Sequence, residues 1–164
     1  MTQAVLNHTM LRVRDPAASL EFYRGLLGMS LLDRYDFPDL KFSLYFLGFV
    51  PEAGPADRAE RVEWVFGQPA LLELTHNWGS EADPEFHYHD GNAEPRGFGH
   101  IGLSVPDVEA VCAGLGKNGV EFVKRPQDGA MKGIAFVKDP DGYWVELLSP
   151  ASLRNIIMAQ QQKS

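Results

Sequence analysis

Leu71-Leu72-Glu73-Leu74 and Trp144-Val145-Glu146-Leu147 end two stretches of this chain in the same way, each setting one glutamate inside an apolar, strand-like run. Upstream of each lies another strand-like run that opens with a histidine: His8 before Thr9-Met10-Leu11-Arg12-Val13, and His100 before Ile101-Gly102-Leu103-Ser104-Val105. The chain therefore carries a His…Glu unit twice. A carboxylate buried in an apolar strand is costly unless it is paired or bound to a metal. Two histidines and two glutamates together make a credible ligand set for a divalent cation.

Working outward, each unit reads as β-α-β-β-β. In the first, a strand over Leu6–Arg14 leads into Asp15-Pro16, a good helix cap and first helical position, and then Ala17–Leu27 with Leu20, Tyr23, Leu26 and Leu27 at helical spacing before Gly28. In the second, His100–Val105 leads into Pro106-Asp107 and a helix over Val108–Leu115, which Gly116 to Gly119 end. Further strands are expected over Met29–Tyr35, Lys41–Phe49, Glu63–Phe66 and Ala70–His76 in the first half, and over Val120–Lys124, Gly133–Lys138 and Tyr143–Leu148 in the second. The fold class is α+β: two βαβββ modules fused into a single domain.

Histidine and glutamate stand 65 positions apart in the first copy and 46 in the second, so the first carries 19 extra residues. An inserted loop is expected over 37–59, with Pro38, Pro51, Gly54 and Pro55. The organisation expected is a first module over 1–78, a linker over 79–96 rich in Gly, Pro, Asp and Glu, a second module over 97–150, and a tail over 151–164. Within the tail a short helix is expected over Ser152–Met158, with Gln160–Ser164 frayed.

Strand parity places the ligands. Alternate residues share a face, so His8, Met10 and Arg12 look one way and Thr9, Leu11 and Val13 the other; Glu73, Thr75 and Asn77 likewise oppose Leu72, Leu74 and His76. In the second copy His100 opposes Ile101, Leu103 and Val105, while Glu146 shares a face with Trp144 and Leu148. Each candidate ligand thus opposes a face that is largely core. Other chemistry-bearing residues read as structural. His87 and His89 sit in the acidic linker without a strand carboxylate, His76 is expected to be a hydrogen-bonding residue, and Cys112 falls on the apolar face of its helix as a buried, inert thiol.

Composition narrows the partners. The 164 residues carry a net charge of −7 with a pI near 5.2, which argues against nucleic acid and requires local cations for any anionic ligand. A single cysteine allows no internal disulfide, no run approaches a membrane span, and no signal-peptide pattern opens the sequence; cytoplasmic residence is the expectation.

The stretches His8-Thr9-Met10-Leu11-Arg12-Val13, Asp36-Phe37-Pro38, Lys41–Leu47, Leu72–Gly79, Pro95–Gly102, Met131-Lys132-Gly133 and Asp139–Glu146 resemble the glyoxalase I (lactoylglutathione lyase) family in its longer, eukaryote-like class. Glu73-Leu74-Thr75-His76-Asn77-Trp78-Gly79 and Arg96-Gly97-Phe98-Gly99-His100 are the most specific of these motifs, and the resemblance runs from about Leu6 to Pro150. It implies the vicinal oxygen chelate architecture and a homodimer with shared active sites, each completed by one ligand pair from either subunit. It also implies one divalent metal per site, held by His8, Glu73, His100 and Glu146, with zinc favoured by the inserted loops and nickel compatible with the ligand set. The implied substrate is the hemithioacetal of methylglyoxal and glutathione, converted to S-D-lactoylglutathione through a metal-stabilised enediolate, with glutathione as co-substrate. Glu146 is then the expected base, with Glu73 serving the opposite face. By family position Arg12, Asn77 and Arg96 hold the γ-glutamyl end and Lys124 the glycyl carboxylate; Phe37, Phe46, Met131 and Phe136, with Leu44 and Ile134, are expected either to wall the aldehyde side chain or to belong to the core. One departure stands out: Ala130 occupies a position where the family often has lysine.

Three other readings compete. A ring-cleaving dioxygenase of the same architecture needs two histidines and one carboxylate on iron, which the second glutamate contradicts. An epimerase would share the proton abstraction with another ligand set. A non-enzymatic drug-binding module would have no use for four ligands.

Overall fold

A computed structural model of the chain describes residues 4–50 and 53–161. The chain forms two compact units, Met1–Tyr88 and His89–Ser164, and each builds one four-stranded sheet.

In the first unit β1 (His8–Val13) is followed by α1 (Pro16–Leu20), which runs on into a π-helical turn over Glu21–Leu26. The Asp15 carboxylate caps α1 by accepting the Ala17 N–H, and Gly28, at φ 76°, supplies the left-handed residue that ends it. Strands β2 (Ser30–Phe37), β3 (Phe42–Gly48) and β4 (Leu71–Asn77) complete the sheet in the order β1-β4-β3-β2, with β1 parallel to β4. The second unit repeats this plan with β5 (His100–Ser104), α3 (Val108–Lys117), β6 (Phe122–Lys124), β7 (Ala135–Lys138) and β8 (Trp144–Leu148) in the order β5-β8-β7-β6. Asp107 caps α3 through the Ala110 N–H. Helix α4 (Pro150–Gln161) follows where a shorter tail helix was expected, so the residues expected to fray begin inside it; residues 162–164 lie outside the described residues.

Parity holds. Leu11, Val13, Leu72 and Leu74 are buried on one face of the first sheet, and Val145 and Leu147 are buried in the second. His76 is buried among the first set, where its Nε2 meets the Glu81 carboxylate at 2.7 Å, and Cys112 is buried on α3.

Two expectations are corrected. Glu63–Phe66 is no strand but part of helix α2 (Arg58–Gly67), nucleated where the Asp57 carboxylate accepts the Ala59 and Glu60 N–H groups. The helix lays Val65 and Trp64 against Leu32, Phe46 and Leu71, burying apolar surface that the sheet alone would leave wet. Nor is 37–59 one inserted loop. It holds the end of β2, a 3₁₀ turn at Pro38–Leu40 and all of β3; the first unit instead outgrows the second between β3 and β4, at residues 49–70, where β7 and β8 are joined by 139–143 alone. Residues 51 and 52 of that stretch, Pro51 among them, lie outside the described residues.

Candidate metal centre and substrate site

Register brings each histidine to its glutamate. In the first unit Met10 pairs with Glu73 across the parallel β1–β4 ladder, so His8 and Glu73 share a face two residues apart along the strands. His8 Nε2 lies 2.9 Å from Glu73 Oε2. In the second unit Gly102 pairs with Glu146 across β5–β8, and His100 Nε2 lies 3.4 Å from Glu146 Oε2. The glutamates are the sheltered partners, with side chains 11% and 15% exposed against 33% and 42% for the histidines. Antiparallel pairing adds a third shared element: Phe46 stands opposite Glu73, and Phe136 opposite Glu146. Each phenylalanine presents its ring to the neighbouring histidine, at 5.4 Å and 5.2 Å between centroids.

The two glutamates differ in their restraints. Glu73 Oε1 accepts a hydrogen bond from Thr75 Oγ1 at 3.0 Å. The position matching Thr75 beside Glu146 is Leu148, which offers none, and Gly102 carries no side chain where Met10 stands beside Glu73. A Cβ placed on Gly102 would lie 3.5 Å from Glu146 Oε2. Glu73 is therefore tethered by a hydroxyl for which the Glu146 strand has a leucine.

Two donors each bonded at about 2.1 Å to one cation lie roughly 3.0 Å apart at a right angle and roughly 3.4 Å apart at a tetrahedral one. The distances of 2.9 and 3.4 Å in the two pairs fit that spacing, and neutral imidazole with carboxylate suits zinc or nickel. Each unit contributes a pair. Among the described residues no three His, Cys, Asp or Glu side chains gather as a metal cluster.

The residues expected to hold substrate are placed unevenly. Arg12 pairs with Thr75 and shares the face of His8 and Glu73, as does Asn77, whose Nδ2 donates to Tyr88 Oη at 3.1 Å. Phe37 is 40% exposed and stacks on Phe42, and Met131 is 44% exposed. Arg96 is exposed and pairs with Glu94. Phe46 takes the core alternative in this unit: its ring is fully buried, with Phe66 of α2 against it and an edge contact to His8. Ile134 is buried as well. Lys124 Nζ donates to the carbonyls of Arg125, Met131 and Ile134 at 3.2, 2.9 and 2.7 Å, spending its protons on the loop that follows β6. Desolvation there lowers its pKa, partly offset by Asp128. Of the linker histidines, His87 and His89 are both exposed, and their Nδ1 atoms meet only the backbone at Glu85 and Gly91.

Sequence reasoning assigned no role to Thr75, whose parity with Glu73 was visible, or to Asn7, which meets His8 Nδ1 at 2.7 Å and whose only visible signal was adjacency.

Residues 5–147 match the Glyoxalase/Bleomycin resistance protein/Dioxygenase superfamily. Within it, the chain belongs to the lactoylglutathione lyase (glyoxalase I) family. It is 55% identical to a lactoylglutathione lyase of Pseudomonas putida over 92% of this chain and 88% of that one, and 56% identical to one of Pseudomonas aeruginosa over 88% and 81%. Among solved structures, the trypanothione-dependent glyoxalase I of Leishmania major matches 98% of this chain and 97% of its own, at 32% identity and a TM-score of 0.71.

Proposed function

We propose that this chain isomerises the methylglyoxal–glutathione hemithioacetal to S-D-lactoylglutathione, with His8, Glu73, His100 and Glu146 as the ligands of one divalent metal, zinc before nickel. The observation that carries the ligand assignment is the repeated pair: His to Glu at 2.9 and 3.4 Å, on matched registers, with a phenylalanine ring against each histidine. The pairs combine between two copies of the chain, so the working enzyme is a homodimer, and its setting is the cytoplasm.

A divalent cation held there supplies Lewis acidity toward the two vicinal oxygens of the substrate. The chain's own groups do the rest. Glu146, with Leu148 where Glu73 has the Thr75 hydroxyl, takes the proton from the carbon acid and returns it to the neighbouring carbon. Glu73, held by Thr75, keeps its place as a ligand. Arg12, Asn77 and Arg96 receive the γ-glutamyl end of glutathione, and Lys124 meets the glycyl carboxylate by exchanging one of its three carbonyl partners.

The test is the rise in thioester absorbance when zinc- and nickel-reconstituted samples receive methylglyoxal and glutathione. Activity with either metal, absent from the chelated protein, is the expected result. Stoichiometric metal binding without activity would mean that the thiol is not glutathione.

A further inference from the structure

Asn7 joins two parts of the first unit that the sequence keeps far apart. Its Nδ2 lies 3.3, 3.1 and 2.6 Å from the carbonyl oxygens of Val65, Phe66 and Gln68, at the C-terminal end of α2. The last carbonyls of a helix lack i+4 partners within it; the Gln68 N–H serves that of Val65 at 3.1 Å, and the Asn7 amide adds a donor at the same helix end. A carbonyl can only accept, which fixes the orientation of the Asn7 amide: nitrogen toward the helix, oxygen toward His8. Oδ1 then sits 2.7 Å from His8 Nδ1 and requires the proton to be on that nitrogen. In the neutral ring the His8 Nε2 lone pair is thereby left facing Glu73, whose Oε2 is 2.9 Å away. Two lone pairs that close attract only through a positive centre shared between them.

Backbone pairing leaves Asn7 little freedom, since its own carbonyl accepts the Leu71 N–H at 2.7 Å and that of Leu6 accepts the Ala70 N–H. The second unit has neither part of this device. Gly99 precedes His100 and has no side chain, and no helix stands between β7 and β8.

We infer that Asn7 is a positioning residue that locks His8 in the Nδ1–H tautomer and, through its bonds to the end of α2, makes the inserted helix the support of the first ligand pair. His8 is thus preset for a cation and His100 is not. The inference rests on His8 being a ligand, as proposed above. An outer partner of this kind is worth about 10–100-fold in metal affinity.

The direct test is long-range ¹H–¹⁵N NMR of the imidazole nitrogens in metal-free protein, with tautomers read where the ring ¹⁵N shifts themselves report neutral imidazole, together with zinc affinity from competition with a chromophoric chelator. In the wild type His8 is expected as Nδ1–H. In Asn7→Ala the His8 ring is expected as a tautomer mixture, with zinc bound about 10–100-fold more weakly. Asn7→Asp, which keeps an oxygen for Nδ1 but loses the donor to the helix, is expected to restore the Nδ1–H tautomer. A general structural defect would not be rescued in that way. An Nε2–H tautomer for His8 in the wild type would overturn the inference whether or not the variants fold, and so would an Asn7→Ala ring that keeps its tautomer. His8→Ala separates the two levels: zinc bound as in the wild type would remove His8 from the ligand set, whereas the tautomer readout judges Asn7 independently.

Discussion

Phe46 meets His8 edge to face, with ring centroids 5.4 Å apart and planes at 89°. The second unit repeats the arrangement between Phe136 and His100, at 5.2 Å and 76°. Such contacts are worth about 0.5–1.5 kcal/mol beyond the area they bury, and here they also limit the rotation of a ligand ring.

Phe46→Ala should therefore weaken both fold and site. Phe46 is fully buried, and truncating a buried phenylalanine costs about 3–5 kcal/mol of unfolding free energy. Phe136 is only partly buried, so Phe136→Ala should cost less while still loosening His100. Urea titration of both variants, with zinc affinity measured on each, checks this. Equal destabilisation by the two would contradict the burial argument.

Glu146→Gln and Glu73→Gln should differ in kind. Removing the base should lower kcat by about 10²–10⁴-fold, the usual worth of positioned proton transfer. Glu73→Gln should act first on metal affinity. Thr75→Val frees Glu73 Oε1 from its hydroxyl and should narrow the difference between the two glutamates. Kinetics on samples of verified metal content distinguish these outcomes, and a metal-replete Glu146→Gln with wild-type kcat would exclude Glu146 as the base.

The tether of α2 to β2 should depend on pH at both ends of the scale. Burial acts to raise the Asp33 carboxyl, but bonds from Arg58 and the Arg34 N–H, with Tyr35 and the Arg58 charge, outweigh it and leave the pKa below its ordinary value. Folding thus favours ionised Asp33. Its contribution to stability is full above the ordinary carboxylate pKa and is lost as pH falls through the lowered native value. Tyr35 behaves oppositely: burial first, then Asp33, pushes it from 10.0 up to about 12. Its hydroxyl is buried without a hydrogen-bond partner among the described residues, so Asp33 acts on it as a charge rather than through a bond. The Tyr35 contribution is present below pH 10.0 and lost as pH rises toward about 12. Phenolate absorbance should show one tyrosine titrating near the upper value, and Arg58→Ala should flatten the acid limb of the stability profile. An acid limb unchanged in that variant would rule out the pair as its source.

Lys124→Ala takes the Nζ donor from three carbonyls, of which that of Arg125 keeps the Asp128 N–H, so the loop over 125–134 should exchange its amides faster and be cut more readily by protease. If the same lysine also meets the glycyl carboxylate, KM should rise with kcat less affected. A higher KM with unchanged amide exchange would assign Lys124 to substrate alone.

Much of this was legible because a strand has a period of two. The positions of His8, Glu73, His100 and Glu146 within apolar runs fixed both their faces and their pairing. Helix α2 escaped because Trp64-Val65-Phe66 is too short and too apolar for period to separate strand from helix, although Asp57 and the Arg-Ala-Glu-Arg run already marked a helix start. That error hid the contact between Phe66 and the buried ring of Phe46. The bonds of Asn7 to carbonyls 58 to 61 positions away follow no local pattern and emerge only from the assembled unit.

The parallel edge strands also impose an order in time. Each histidine belongs to the first strand of its unit and each glutamate to the last, 65 and 46 positions downstream. At ribosomal speeds of about 5–20 residues per second, His8 waits about 3–13 s for Glu73 to be synthesised. A cation meeting the nascent chain in that interval finds an unaccompanied imidazole, and a truncated message leaves only that behind. On the ligand assignment proposed above, loading with metal is therefore a certificate that translation has passed Glu146, the last of the four.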